Sequence, residues 1–143
     1  MEFCIHDLEL IGAALYLGEG TKMRKTNKGY IYAIEFTNTD ARMIVMFLKF
    51  LRKVIHPVEE RIKAQLFIYD DIDKDSTLNY WSRITDIPFD RFQKTMVFGS
   101  KNGRFKPSKF GIIKIRYSHK EHFLKLQGII DKVFGSNSNG GVA

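Results

Sequence analysis

Apolar and polar positions along the chain repeat with two periods, and the places where the period changes predict its elements. From Leu10 to Leu17 the residues run apolar around Gly12, Ala13 and Ala14. His6 or Asp7 offers a capping side chain in front of this run, and Gly18 and Gly20 close it, so the first element is a helix. GYIYAIEFTN then alternates: Tyr30, Tyr32, Ile34 and Phe36 point one way, Ile31, Ala33, Glu35 and Thr37 the other. That is a strand with one apolar face. A second helix is expected from Asp40 to about Ile55, capped by Asn38 or Thr39, with Met43, Ile44, Phe47, Leu48, Leu51 and Val54 as its stripe and Pro57 after its end. Glu59 to Tyr69 alternates again, Ile62, Ala64, Leu66 and Ile68 against Arg61, Lys63, Gln65, Phe67 and Tyr69.

The acidic stretch DDIDKDS leads into a third helix through Leu78, Trp81 and Ile84, which must end before Pro88. Gln93 to Phe98 reads as a short strand, and Gly111 to Ser118 as a longer one, with Ile113, Ile115 and Tyr117 opposite Lys114, Arg116 and Ser118. Ser118 and Glu121 have capping-box spacing for a last helix, whose stripe is Phe123, Leu126, Ile130 and Val133 and whose stop is Gly135. This order predicts an α+β domain over residues 1–134, with helices covering one face of a largely antiparallel sheet. The composition of the tail GSNSNGGVA, residues 135–143, is that of a flexible segment.

The distribution of charge sharpens this picture. The net charge is +7, and the excess sits in two blocks without acids. The first holds Lys22, Arg24, Lys25 and Lys28; the second holds Lys101, Arg104, Lys106, Lys109, Lys114, Arg116 and Lys120. The remainder is therefore net acidic. Segregated basic charge suits a polyanion, because each Lys or Arg that neutralises a phosphate releases a condensed counterion; a solvated surface has the same composition. Arg61, Lys63 and Gln65 on one strand, with Lys114, Arg116 and Ser118 on another, would face bases and phosphates together, since Arg and Lys pair with guanine and Gln with adenine in the major groove. The single cysteine, Cys4, leaves no disulfide framework and no Cys-based zinc site. With no apolar run near the roughly 20 residues of a membrane span, and no basic-then-apolar leader, a cytoplasmic protein is expected.

The segment LIGAALYLGEGTK resembles the defining motif of the LAGLIDADG homing endonucleases. Glu19 and Gly20 take the place of its final Asp-Gly, and Ala13, Ala14 and Leu15 fall on its small-residue and leucine positions. Leu17 stands where the motif name has its other Asp, and Gly12 where it begins with Leu. The likeness extends to the order of elements through about Phe134, including the FTNTD strand end before the second helix. It implies a curved sheet of αββαββα type, here with an extra helix, and a site-specific endonuclease that binds double-stranded DNA and hydrolyses phosphodiester bonds with Mg²⁺ or another divalent cation.

The resemblance also implies a set of site residues. Glu19 and the Gly18 backbone would hold the metal, with Gln65 and Lys114 beside it in catalysis and Lys120 a further candidate by location. Small side chains let helices approach closely, so a homodimer through Gly12, Ala13, Leu15 and Tyr16 would bring two copies of Glu19 together under a twofold DNA site. A carboxylate at a helix C-terminus opposes the macrodipole, which calls for a compensating cation. The fold also has relatives that bind without cleaving, transcription regulators and intron maturases, and that alternative stands beside the nuclease. His119 and His122 are spaced i, i+3 with no third ligand evident, and read as helix surface.

Overall fold

A computed structural model describes residues 2–99 and 109–136 and orders them as α1 (Ile5–Glu19), β1 (Arg24–Thr26), β2 (Gly29–Ile31), β3 (Ala33–Asn38), α2 (Ala41–Phe50), β4 (Ile62–Tyr69), α3 (Lys74–Thr85), β5 (Met96–Phe98), β6 (Ile112–Ser118) and α4 (Lys120–Phe134). The fold is α+β. One sheet has the order β3-β6-β4-β5, antiparallel except for the β4–β5 pair, and β1 and β2 form a separate antiparallel hairpin. Arg24 and Lys25 of the first basic block thus lie in a strand. Lys101 and Arg104, expected to contact DNA, lie outside the described residues, as do residues 137–143 of the tail.

Alternation explains which face of the sheet is covered. Ile62, Ala64, Leu66, Ile68, Ile113, Ile115, Tyr117, Ile34 and Phe36 are buried in one cluster with the apolar stripes of all four helices. Rows one residue out of phase, Lys63, Gln65, Lys114, Arg116 and Ser118, are only half-buried, as expected of a sheet packed on one side. The expected single strand from Gly29 to Asn38 is interrupted at Tyr32. Arg24 pairs with Ile31 and Gly20 with Phe36, so three residues on one side, 21–23, lie opposite four on the other, 32–35, where the hairpin parts from the main sheet.

The helix ends depart from expectation where polar side chains compete for the same job. Cys4 caps α1, its thiol accepting from the Asp7 N–H while the Asp7 carboxylate accepts from the Cys4 N–H. Asp40, one residue past the expected caps, closes α2. His119, and not Ser118, caps α4, because β6 continues through Ser118. Gly135 ends α4 at φ 89°, as its sequence position suggests. Beyond Phe50 the second helix widens into a π-helical turn, Leu51–Ile55, which keeps Leu51, Val54 and Ile55 buried before His56 and Pro57 turn the chain away.

Two contacts fix α1 against the rest. A side chain at Gly12 would lie 2.2 Å from the Phe50 ring, so glycine is what allows α1 and α2 to approach. The Tyr16 ring stacks on Phe47 at 5.7 Å between centroids. Its hydroxyl accepts from the Glu35 N–H at 3.1 Å and donates to the Thr21 carbonyl at 2.6 Å. Burial raises the Tyr16 pKa well above the ordinary phenol value, so the proton that makes the second bond stays on the oxygen.

Tyr16→Phe should destabilise the protein by about 1–3 kcal/mol, the cost of a buried N–H left without its partner, measured as a lower urea midpoint with unchanged slope. Gly12→Ala should also destabilise. Overpacking costs about 1–3 kcal/mol against the ~1 kcal/mol that alanine gains over glycine in a helix, and with three ring atoms within 2.5 Å of the added carbon the steric cost prevails. A raised melting temperature would contradict this packing.

Candidate functional site

The open face of the sheet is organised by strand register. Thr37 of β3 pairs with Lys114 of β6, which pairs on its other side with Gln65 of β4; the next row is Glu35, Arg116 and Lys63. Gln65 and Lys114, expected near one centre, are therefore neighbours. Each already has an intramolecular contact: the Gln65 amide donates to the Lys94 carbonyl at 2.8 Å, and the Lys114 ammonium lies 5.7 Å from the centre of the Phe67 ring. Arg61, at the margin of this face, donates to the Ser118 carbonyl. On the hairpin Lys25 lies over the Tyr30 ring at 5.9 Å, and Lys28 precedes the turn at Gly29.

The Glu35 carboxylate breaks the basic pattern. It is 5% exposed and receives Arg24 on one oxygen, at 3.3 Å, and Arg116 on the other. Sequence alternation placed Glu35 on this face but gave no sign that two arginines, 11 residues before and 81 after it, would converge there. Only the register Glu35↔Arg116 and the fold of the hairpin supply that information.

Glu19 is exposed and ends α1. Its Oε1 accepts from the Asn38 amide at 2.9 Å, and the Asn38 Oδ1 in turn accepts from the Asp40 N–H at 2.8 Å. Asn38 lies in phase with Ile34 and Phe36, so Glu19 meets the sheet at the end of β3 from the helical side. Among the described residues no hydrogen bond or ion pair joins it to Gln65 or Lys114, which point to the other face. Nor does any group of three His, Cys, Asp or Glu side chains gather to hold a metal there. Asp40, two residues beyond Asn38, is engaged with Arg42 and the α2 N-terminus, which together hold its carboxyl down at about 2. Lys22, expected on DNA, instead donates to the Leu17 carbonyl at 2.9 Å. Its charge answers the α1 dipole at the point where Glu19 opposes it.

The α1 residues expected between subunits require correction. Gly12, Ala13 and Tyr16 are buried against their own chain, Gly12 by Phe50 and Tyr16 by Phe47, and Leu15 packs on the same core. A glycine-alanine pair that permits close approach does so here within one chain. The side of α1 left uncovered carries Leu10, Ala14 and Leu17, which leads to Gly18 and Glu19.

His119 and His122 stack at 3.8 Å, and each ring serves the fold. The His119 Nδ1 accepts from the His122 N–H as the α4 cap. The buried Tyr117 hydroxyl accepts from the Val58 N–H at 2.9 Å and lies 2.7 Å from the His122 Nδ1. Burial, followed by the charges of His119 and Lys125, lowers the His122 pKa. Among the described residues no helix is long and apolar enough to cross a membrane.

A histidine with lowered pKa stays neutral in the fold while the unfolded chain takes up the proton first. The stability contributed at His122 is therefore complete above the ordinary value of 6.5 and declines as pH falls from there toward the folded pKa. Urea midpoints taken between about pH 7.5 and 5 should fall with acidification. His122→Gln, which retains an acceptor and loses the titration, should flatten that dependence; an equally steep fall in the variant would exclude His122 as its origin.

No protein-family model, curated protein or solved structure matches the chain.

Proposed function

We propose that the protein binds double-stranded DNA through the open face of its sheet and, as a homodimer, hydrolyses phosphodiester bonds with a divalent cation held at Glu19. One observation carries the binding half: among the described residues the four α-helices pack on one side of the sheet, leaving Arg61, Lys63, Gln65, Lys114, Arg116 and Ser118 side by side on the other, with the hairpin basic residues at its margin. Such a surface supplies both parts of DNA recognition, cations for phosphates and planar or amide donors for base edges. The observed order shares the α+β class of the αββαββα arrangement that the sequence motif implies, and carries α3 and a third strand on either side of α2 in addition to it.

The hydrolytic half rests on Glu19. Its carboxylate is exposed and oriented by Asn38, and oxygen ligands of this kind suit Mg²⁺, which binds few protein groups and retains its waters. A cation there would polarise the scissile phosphate as a Lewis acid. Lys114 and Gln65 would then contact DNA on the adjoining face, and Lys120, which lies over the Tyr32 ring at 5.4 Å, stands apart from Glu19 in the fold. One carboxylate per chain makes the site depend on a second copy. The uncovered stripe of Leu10, Ala14 and Leu17 is the part of α1 free to meet that copy, in place of the buried residues expected from sequence.

A second reading, DNA binding without cleavage, is favoured by one observation: among the described residues no group of three or more His, Cys, Asp or Glu side chains gathers to hold a metal. The two readings separate when a randomised duplex library is incubated with the protein and Mg²⁺, with Glu19→Gln alongside. Nuclease function predicts cleavage by the parent protein, loss of cleavage in the variant, and retained binding in both. Binding without cleavage by either protein supports the second reading. If neither retains duplex DNA at low salt, both are wrong.

A further inference from the structure

Glu35 is an acid held in the middle of a basic surface, and its environment defines what it can do. Its side chain is almost fully buried, and each carboxylate oxygen receives a different arginine, Arg24 from the hairpin and Arg116 from the neighbouring strand. Its backbone is fixed as well: the N–H donates to the Tyr16 hydroxyl and the carbonyl accepts from the Thr21 N–H at 3.0 Å. Almost fully buried and with an arginine on each oxygen, the carboxylate is not open to a cytosine amino group, so it is not itself a reader of bases. The arginines are different. Their side chains are 49% and 32% exposed, and a guanidinium has five donors, of which the contact with Glu35 uses a minority.

We propose that Glu35 is a positioning residue for DNA sequence readout, holding Arg24 and Arg116 as two rigid guanidinium forks that read guanine edges; this rests on the DNA-binding reading above. Bidentate pairing with guanine O6 and N7 requires a planar fork at a fixed angle, and an arginine on a flexible stem loses rotamer entropy when it binds. Anchoring one edge of each guanidinium to a buried carboxylate removes that freedom before DNA arrives. It also reduces the net charge of the three groups to +1, which lowers affinity for arbitrary phosphates while leaving the directional donors in place. Glu35 therefore favours discrimination at the expense of attraction.

The consequences are opposite in sign for two measurable quantities. Glu35→Gln removes one negative charge and offers one carbonyl oxygen in place of two carboxylate oxygens. Binding to random duplex should tighten, with the slope of log affinity against log salt steeper by about one, while preference for guanine at the affected positions of a selected site should fall about tenfold. Arg24→Lys and Arg116→Lys keep the charge and lose the fork, so each should lose guanine preference at one position without changing the salt slope. These lysine variants keep an ion pair with Glu35 and serve even if the glutamine variant folds poorly. The proposal is overturned if Glu35→Gln keeps the guanine preference that the lysine variants lose, or if neither lysine variant alters preference at all.

A DNA-independent arm isolates the clamp. Relaxation of the arginine Nε–H groups in the free protein should show Arg24 and Arg116 ordered, in contrast to the exposed Arg83, and mobile in Glu35→Gln. If the two are as mobile as Arg83 in the parent protein, the clamp is absent and the proposal fails whatever the DNA data show. If they are ordered but no duplex binds at low salt, the DNA-binding reading fails and takes the readout role with it, while the clamp stands as a structural ion-pair cluster.

Discussion

The Tyr16 hydroxyl joins the helical layer to the sheet, and much of the arrangement follows from it. Where the hairpin strand rises into the end of α1, the Glu35 N–H has no strand carbonyl opposite; the phenol oxygen takes that place and passes a hydrogen bond on to Thr21. A side chain thus completes the edge of the ladder. The requirement is strict because the Glu35 N–H is buried, and a buried backbone donor without a partner costs as much as a lost hydrogen bond. The same ring stacks on Phe47, which stacks on Phe36 at 4.5 Å, so α1, α2 and β3 are held through one aromatic column. The close approach at Gly12 and Phe50 sets the other end of the α1–α2 contact. Together these fix where α1 ends, and hence where Glu19 meets Asn38.

With the helices committed to one side, the other side of the sheet is left to be defined by charge. Lysine and arginine in adjacent rows repel each other, and a solvated surface would spread them. Here Glu35 interrupts the row instead, with Arg24 and Arg116 meeting at it and Lys63 beside Arg116 on β4. A buried carboxylate carries a desolvation cost that only paired, hydrogen-bonded partners offset. Removing either arginine would leave part of that cost uncompensated, which ties the hairpin to β6 through charge as Tyr16 ties it to α1 through a hydrogen bond.

Periodicity made most of the fold legible. The alternating segments ending at Tyr69 and Ser118 became β4 and β6 with the expected residues inward, and the helical stripes of Phe47, Leu48, Phe123 and Leu126 became core. What periodicity could not see were choices between neighbours of equal chemical merit. Asp40 outcompetes Asn38 and Thr39 as a cap because Asn38 is drawn to Glu19, and His119 replaces Ser118 because the strand pairs through Ser118 with Ala33. The small residues of α1 were legible as a close-approach surface but not as to whose helix approaches. That is decided by Phe50, 38 positions away, and the partner turns out to lie in the same chain. The ion pairs at Glu35 depended on register, which no local pattern encodes. At the candidate site the acid was visible from its motif, whereas its separation from Gln65 and Lys114 follows from strand phase: Asn38 belongs to the inward set, and those two belong to the outward one.

The position of Glu19 carries a further consequence for the proposed chemistry. The dipole argument asks for a positive charge near a carboxylate at a helix C-terminus, and Lys22 meets part of that demand by donating to the Leu17 carbonyl, while the Asn38 amide satisfies one carboxylate oxygen. The helix end is therefore stable without a metal, and stability alone gives no reason for a cation to be present. Under the nuclease reading, cation affinity must instead come from bringing carboxylates together. Two copies of an exposed Glu19 repel when they approach in water, and a divalent cation between or beside them relieves that repulsion more effectively than either Lys22 could, since each lysine is tied to its own helix. Dimer formation and metal binding then become thermodynamically linked: each favours the other by the same coupling free energy. The isolated chain is, on this view, a complete DNA-binding surface with half a catalytic centre.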